Sequence, residues 1–275
     1  MSTTSGDLAI AVQRLVDLMP RPDSQAYDPP MASETAMMAS AFLLITEGRL
    51  QEAARLVAPL HYSVVRFTDV PTGRQFVVLQ ELRNPDGSWP HAWGLYVYSP
   101  GSTSRLIVEV AHPLDDIDTP PVGVETFRLA NARALLVAGA SRFANAGDVA
   151  DVAHDGYSVF QAVHGAALVP GAVVFEPHGF EQDRHESYGD VVVSTGAFPP
   201  DALAAEVAAA LRKAGFSVCL YDGTNCSELG GTTNVQGAST RAASDTFLHL
   251  EMSIGVRSDQ ARRELVARIV ARLAG

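Results

Sequence analysis

Apolar residues recur at helical spacing over residues 7–19 and again over 32–58, and this predicts two helical stretches, the second broken at Gly48 before RLQEAARLVAPL. The Pro-rich PRPDSQAYDPP between them predicts an extended linker. The texture then changes to short apolar runs rich in β-branched and aromatic residues, HYSVVRFTDV, RQFVVLQEL, AWGLYVYS and RLIVEVAH, separated by the turn signals PTGR, NPDG and SPGS. From residue 122 helix and strand patterns alternate. VGVETFRLANA reads as helix, ARALLVAGA as strand, DGYSVFQAVHGAAL as helix, GAVVFEPHG and DVVVSTG as strands, and PDALAAEVAAALRKAG as helix. FSVCLYDG and FLHLEMS read as strands on either side of a glycine-rich loop, and SDQARRELVARIVARLAG as a last helix.

Buried strands separated by helices predict an α/β fold of three layers, α/β/α, with a mixed, largely parallel central sheet. Residues 1–70 are expected to form an N-terminal helical segment packing on a main α/β domain of residues 71–275. In such sheets ligands collect where strands end, so the polar residues at the carboxyl ends of strands carry the functional question.

Composition narrows the classes. With 275 residues, 47% of them hydrophobic, the chain can bury a substantial core. A formal charge of -11 without clustered Lys or Arg argues against a nucleic-acid surface and leaves small molecules or peptides as partners. No apolar run approaches the roughly 20 residues needed to span a bilayer, and no basic start followed by an apolar block marks a secretion signal, so the expected location is cytoplasmic, or secreted if a signal has been removed. Cys219 and Cys226 are as consistent with two free thiols as with one bridge closing CLYDGTNC. No phosphate-loop, dinucleotide or GxSxG pattern is present.

Several strand ends carry reactive side chains: His112 after RLIVEVA, Arg142 after ALLVAGAS, His178 after AVVFEP, and Glu251 within FLHLEMS. Two imidazoles and a carboxylate with an open water position form a common catalytic zinc set, and a further carboxylate beside the water would be its base. Ordinary readings compete with these. His112 alone reads as a loop histidine before Pro113, and His249, on the face of Glu251, as a satisfied core histidine. An acidic residue inside so apolar a strand, however, must be paired, exposed or functional.

The ordered series of His112 with its acidic neighbours, DVAHD, PHGF and HLEMS resembles the zinc carboxypeptidase and N-formylglutamate amidohydrolase-like families. The resemblance covers residues 105 to 255 and rests on short motifs. It implies a zinc-carboxypeptidase-like fold and a zinc-dependent hydrolase cleaving an amide bond in a peptide or N-acylated amino acid. His112 and His178 would be ligands, Glu251 the general base, and Arg142 the group that stabilises the oxyanion or grips a substrate carboxylate. The families place a Glu three residues after the first His, where this chain has Asp115, so Glu125 on the following helix is expected to complete the metal set, with Asp115 second. Asp116 and Asp118 are expected to cap that helix or to hold His112. Asp151, His154 and Arg184 would contact substrate, with His154 a possible electrophile and Asp155 a helix-start capping residue. A non-catalytic binding module with a degraded metal site is the alternative.

Overall fold

Alternate residues of the central strands pack into two different cores. On one face of the sheet Leu106, Val108, Val110, Leu135, Val137, Leu248 and Leu250 join Leu8, Val12, Phe127, Val207 and Val266. On the other face Ile107, Ala134, Leu136, Val174 and Phe247 join Met38, Phe42, Val57, Phe160 and Val163. This two-sided burial is what runs of Val, Ile and Leu without polar alternation produce. A computed structural model describes residues 2–275.

The strands are β1 (Ser2–Gly6), β2 (Tyr62–Asp69), β3 (Arg74–Glu81), β4 (Leu95–Tyr98), β5 (Leu106–Val110), β6 (Ala134–Val137), β7 (Val173–Phe180), β8 (Val191–Ser194), β9 (Val218–Leu220) and β10 (Thr246–Ser253). They form one sheet in the order β1-β2-β3-β4-β6-β5-β7-β10-β8-β9. Its centre, β6-β5-β7-β10, is parallel. The hairpins β2–β3 and β3–β4 and the pairs β4–β6 and β10–β8 are antiparallel, while the edge pairs β1–β2 and β8–β9 are parallel. Helices α1 (Leu8–Leu18), α4 (Thr119–Leu129), α6 (Ala202–Lys213) and α9 (Gln260–Ala274) bury apolar residues in the first core. Helices α2 (Ala32–Thr46), α3 (Leu50–Val57) and α5 (Val159–Ala167) do so in the second. The chain is therefore a three-layer α/β/α structure with a mixed, largely parallel central sheet. The division expected after residue 70 falls in the turn of the β2–β3 hairpin, so its two sides share one sheet.

Three elements lie outside the sequence expectations. β1 is polar and exposed, and carries no apolar alternation to mark it. Polar contacts just beyond its end hold it in place: Asp7 caps α1 through the Ala9 amide, and the buried Asp69 at the end of β2 accepts from the Leu8 amide and from Arg128 on α4. α7 (Val235–Ala242) occupies the second half of the expected glycine-rich loop. It has too few apolar residues to show helical periodicity, and is fixed by Asn234, whose Oδ1 accepts from the Gly237 amide at 2.7 Å, and by Gln236, which donates to Val152 O. The short α8 (Ile254–Arg257) directly continues β10. No helix among the described residues is long and apolar enough to cross a membrane.

Candidate metal centre

The parallel strands β5, β7 and β10 end at the same edge, and their side chains converge there. His178 and Glu251 are direct partners across β7 and β10, so the register places them side by side. His112 follows the end of β5, and the chain then turns, with the Asp116 amide donating to His112 O at 3.0 Å. That turn brings Asp116 back under both imidazoles. Its Oδ2 lies 3.4 Å from His112 Nδ1 and 3.0 Å from His178 Nδ1. His112, Asp116 and His178 are all buried, and their ligand atoms lie within 4.8 Å of one another.

The remaining ring nitrogens are held from behind. His112 Nε2 faces Asp151 Oδ1 at 2.9 Å and His178 Nε2 faces Glu176 Oε1 at 2.6 Å. Asn234 donates to the same Glu176 oxygen at 2.6 Å. Carboxylates behind imidazoles fix ring orientation and raise ligand basicity, as is usual around bound metals. Burial alone would push both histidines down, but hydrogen bonds to Asp116 and Asp151 hold His112 above its ordinary range, and those to Asp116 and Glu176 hold His178 well above it. Burial would raise the two aspartates, yet Asp116 is held low by His112 and His178, and Asp151 by His112, His154 and the charge of Arg142. Protons thus bind the cluster together where a divalent cation could replace them.

Two imidazoles and one buried carboxylate match the donor set of a catalytic zinc site. A cavity of about 230 Å³ opens above them, walled by Arg142, His154, Glu228, Leu229, residues 231–234, His249 and Glu251. Glu251 Oε2 is buried without a hydrogen-bond partner. Burial pushes the acid up to about 7, against the opposing charge of His178.

The expected site residues fare differently. His112, His178 and Glu251 come together, and Arg142 and His154 line the same cavity. Glu125 does not reach the metal donors, which corrects its expected role as the carboxylate ligand. It sits in the body of α4, where Gly123 faces β5 so closely that a Cβ would lie 2.5 Å from Val110. At about 100° per residue, Glu125 is turned away from that contact, and it lies on the outer groove with Arg128, Arg263 and Glu264. Asp115 accepts from Ser141 Oγ and from the Arg142 amide, and so shapes the loop that carries Arg142. Asp118 precedes α4 but makes no side-chain cap.

Asp151, expected to contact substrate, is engaged instead by its neighbours. It is 3% exposed and spent on His112, His154 and Arg142, the last at 2.5 Å. Arg184 stands exposed on a short 3-10 turn and does not line the cavity. His154 stays at the rim, where its Nδ1 faces Asp151 at 3.1 Å and its Nε2 faces Thr233 Oγ1 at 3.1 Å. Asp155 accepts from the Tyr157 amide and Ser158 caps α5, as the ordinary reading of that loop expects. His249 is in the core but not satisfied, since its Nδ1 has no partner.

Arg257 escaped the sequence reading altogether. It is 2% exposed and donates to the carbonyls of Met252, Ile117 and Phe180, at 3.0, 2.5 and 3.3 Å. It thereby ties together the ends of β10 and β7 and the turn that holds Asp116. Gly179, beside His178, makes room for this, because a Cβ there would meet the guanidinium at 2.3 Å. Cys219 and Cys226 are bridged, with Cα atoms 6.5 Å apart, just before Glu228, Leu229 and residues 231–234, which wall the cavity.

No family model matches the chain. No curated protein matches it either. Among solved structures, N-formylglutamate amidohydrolase from Ralstonia eutropha JMP134 is 13% identical and aligns 66% of this chain with 98% of its own, at a TM-score of 0.47. A metallo-carboxypeptidase from Burkholderia cenocepacia is 12% identical over 77% of this chain and 63% of its own, at 0.39. A bacteriophage poly-gamma-glutamate hydrolase is 16% identical over 62% of this chain and 81% of its own, at 0.38. The first two bear the names of the families that the strand-end motifs resemble. Likeness this loose carries no statement about activity.

Proposed function

We propose that the chain is a metal-dependent hydrolase of amide bonds in a peptide or N-acylated amino acid, with zinc as its ion. One observation carries this reading: Asp116 Oδ2 lies between the Nδ1 atoms of His112 and His178, beneath a cavity into which Glu251 presents an unpartnered acid. His112, Asp116 and His178 would hold the ion, with Asp151 and Glu176 fixing the rings. When bound, such a cation supplies Lewis acidity and lowers the pKa of a water molecule.

The chain's own groups account for the rest. Glu251, ionised in part near neutrality, accepts the proton of the attacking water and returns it to the departing amine. Arg142, only 28% exposed and held by Asp151, presents its guanidinium to the developing oxyanion or to a substrate carboxylate. His154 lines the outer part of the cavity with Thr233 and contacts the part of the substrate beyond the scissile bond. Asp151 serves substrate only through the residues it holds, and Arg184 meets it only beyond the rim.

The competing reading, a binding module whose metal site has decayed, drew support from Asp115 at the family's Glu position. That support weakens because Asp116 supplies a carboxylate to both histidines. The test is to purify the protein without added metal, measure zinc content, and compare amide hydrolysis by wild type and Glu251→Gln. The expected result is close to one equivalent of zinc in both and turnover in wild type alone. A protein that neither retains zinc nor gains thermal stability when zinc is added sinks the proposal.

A further inference from the structure

His249 is a buried titratable group on the cavity wall that this mechanism leaves unused. It lies on the same face of β10 as Glu251, is 3% exposed, and its ring centroid is 4.7 Å from that of His178. Its Nδ1 is buried without a partner, and its Nε2 faces Glu251 Oε1 at 3.9 Å. Glu251 Oε2 is likewise buried and unpartnered. Buried polar groups are nearly always hydrogen-bonded, so two neighbouring exceptions call for a physical reason.

A cation held between the two side chains, on His249 Nε2 and the Glu251 carboxylate, supplies one for the carboxylate and leaves Nδ1 on the far side of the ring. A gap of 3.9 Å is too long for a hydrogen bond but suits two donors bound to one ion, since ligands about 2.0 to 2.1 Å from a common centre can lie up to about 4.2 Å apart. His178, His249 and Glu251 present ligand atoms within 4.8 Å of one another, forming a second group beside His112, Asp116 and His178. Gly231 stands over the His249 ring with φ +61, and a Cβ there would lie 3.0 Å from it, so glycine keeps this side of the ring clear.

We infer that His249 and Glu251 form a second cation position beside the first, bordered by His178 and suited to a borderline divalent ion such as zinc. His178 already directs Nδ1 to Asp116 and Nε2 to Glu176, so the second position has two unshared protein donors and binds more weakly than the first. Filling it engages the carboxylate of Glu251 and withdraws it from proton transfer. Hydrolysis therefore rises with the first equivalent of zinc and falls with the second, a consequence that rests on the function proposed above.

The test is equilibrium dialysis of metal-stripped protein against zinc, with bound metal measured directly. Wild type should take up two equivalents, the second at least about 10-fold weaker than the first. His249→Phe and Glu251→Gln should each abolish or weaken the second by at least about 10-fold while the first remains. Saturation of wild type at one equivalent, or full retention of the second by His249→Phe, overturns the inference and leaves the proposed function standing. Absence of any tight equivalent in wild type defeats the proposed function instead. Should His249→Phe not fold, as judged by circular dichroism, the wild-type stoichiometry and Glu251→Gln still decide.

Discussion

Asp116 and Glu125 are both carboxylates downstream of His112, and only their backbone settings separate them. A tight turn carries Asp116 back beneath the imidazoles, whereas helical geometry turns Glu125 toward solvent and α9. Replacing Asp116 with Ala should therefore weaken zinc binding by at least about 100-fold, beyond the 10- to 100-fold typical of groups that merely orient ligands. Glu125→Gln should leave it unchanged; zinc affinities measured by competition with a chelator check both, and a large loss in Glu125→Gln would show that the helix reorganises around metal. Arg257 invites a different comparison. Removing it leaves three carbonyls of separate segments without their common donor, so Arg257→Met should cost about 3 kcal/mol of unfolding stability in urea and loosen the metal site as well. A variant as stable as wild type would show that the three segments hold their positions unaided.

At the scale of elements, how much could be read in the chain depended on how each element earns its place. Strands and helices that bury apolar faces, such as β5, β7, β10 and α6, were legible as hydrophobic runs or periodicities. β1 and α7 were not, because polar contacts position them: Asp69 and Asp7 in one case, Asn234 and Gln236 in the other. The site divides the same way. His112, His178 and Glu251 stood out as polar residues closing or interrupting apolar strands, while the choice among Asp115, Asp116 and Glu125 turned on local chain direction, which no periodicity encodes. Arg257 gave no signal, since its partners are backbone carbonyls far away in sequence. The N-terminal anchor is open to test. Asp69 is fully buried and accepts from Leu8 N, Thr72 Oγ1 and Arg128, whose guanidinium also pairs with Asp7, so Asp69→Ala, which leaves Arg128 that one carboxylate and the Leu8 amide none, should cost about 2 to 3 kcal/mol in chemical unfolding. A loss below about 1 kcal/mol would place Asp69 among surface-like ion pairs instead.

For the molecule as a whole, the buried titrating groups give metal-free protein a narrow pH range of greatest stability. The raised histidines His112 and His178 contribute stability that is complete below about pH 6.5 and is lost as pH rises through their folded values. Glu251, raised to about 7, adds to this, since its contribution is present below its ordinary 4.5 and is lost as pH climbs through about 7. Asp116 and Asp151 act oppositely: they are held low, so their contribution is present above the ordinary 3.8 and is lost as pH falls. The melting temperature of stripped protein should therefore peak where the aspartates have ionised and Glu251 has not, near about pH 4 to 5, and decline toward pH 8, where zinc should restore it. A flat profile from pH 6 to 8 would mean that the proton-held cluster contributes nothing to folding.

The bridge between Cys219 and Cys226 braces the mouth of the cavity rather than its floor. It closes a short loop beside the edge strand β9, immediately ahead of the segment that walls the cavity, whereas the candidate donors lie at the ends of central strands. Reducing it would therefore loosen the doorway first, and the loss would be felt in which substrates are admitted before it is felt at the centre.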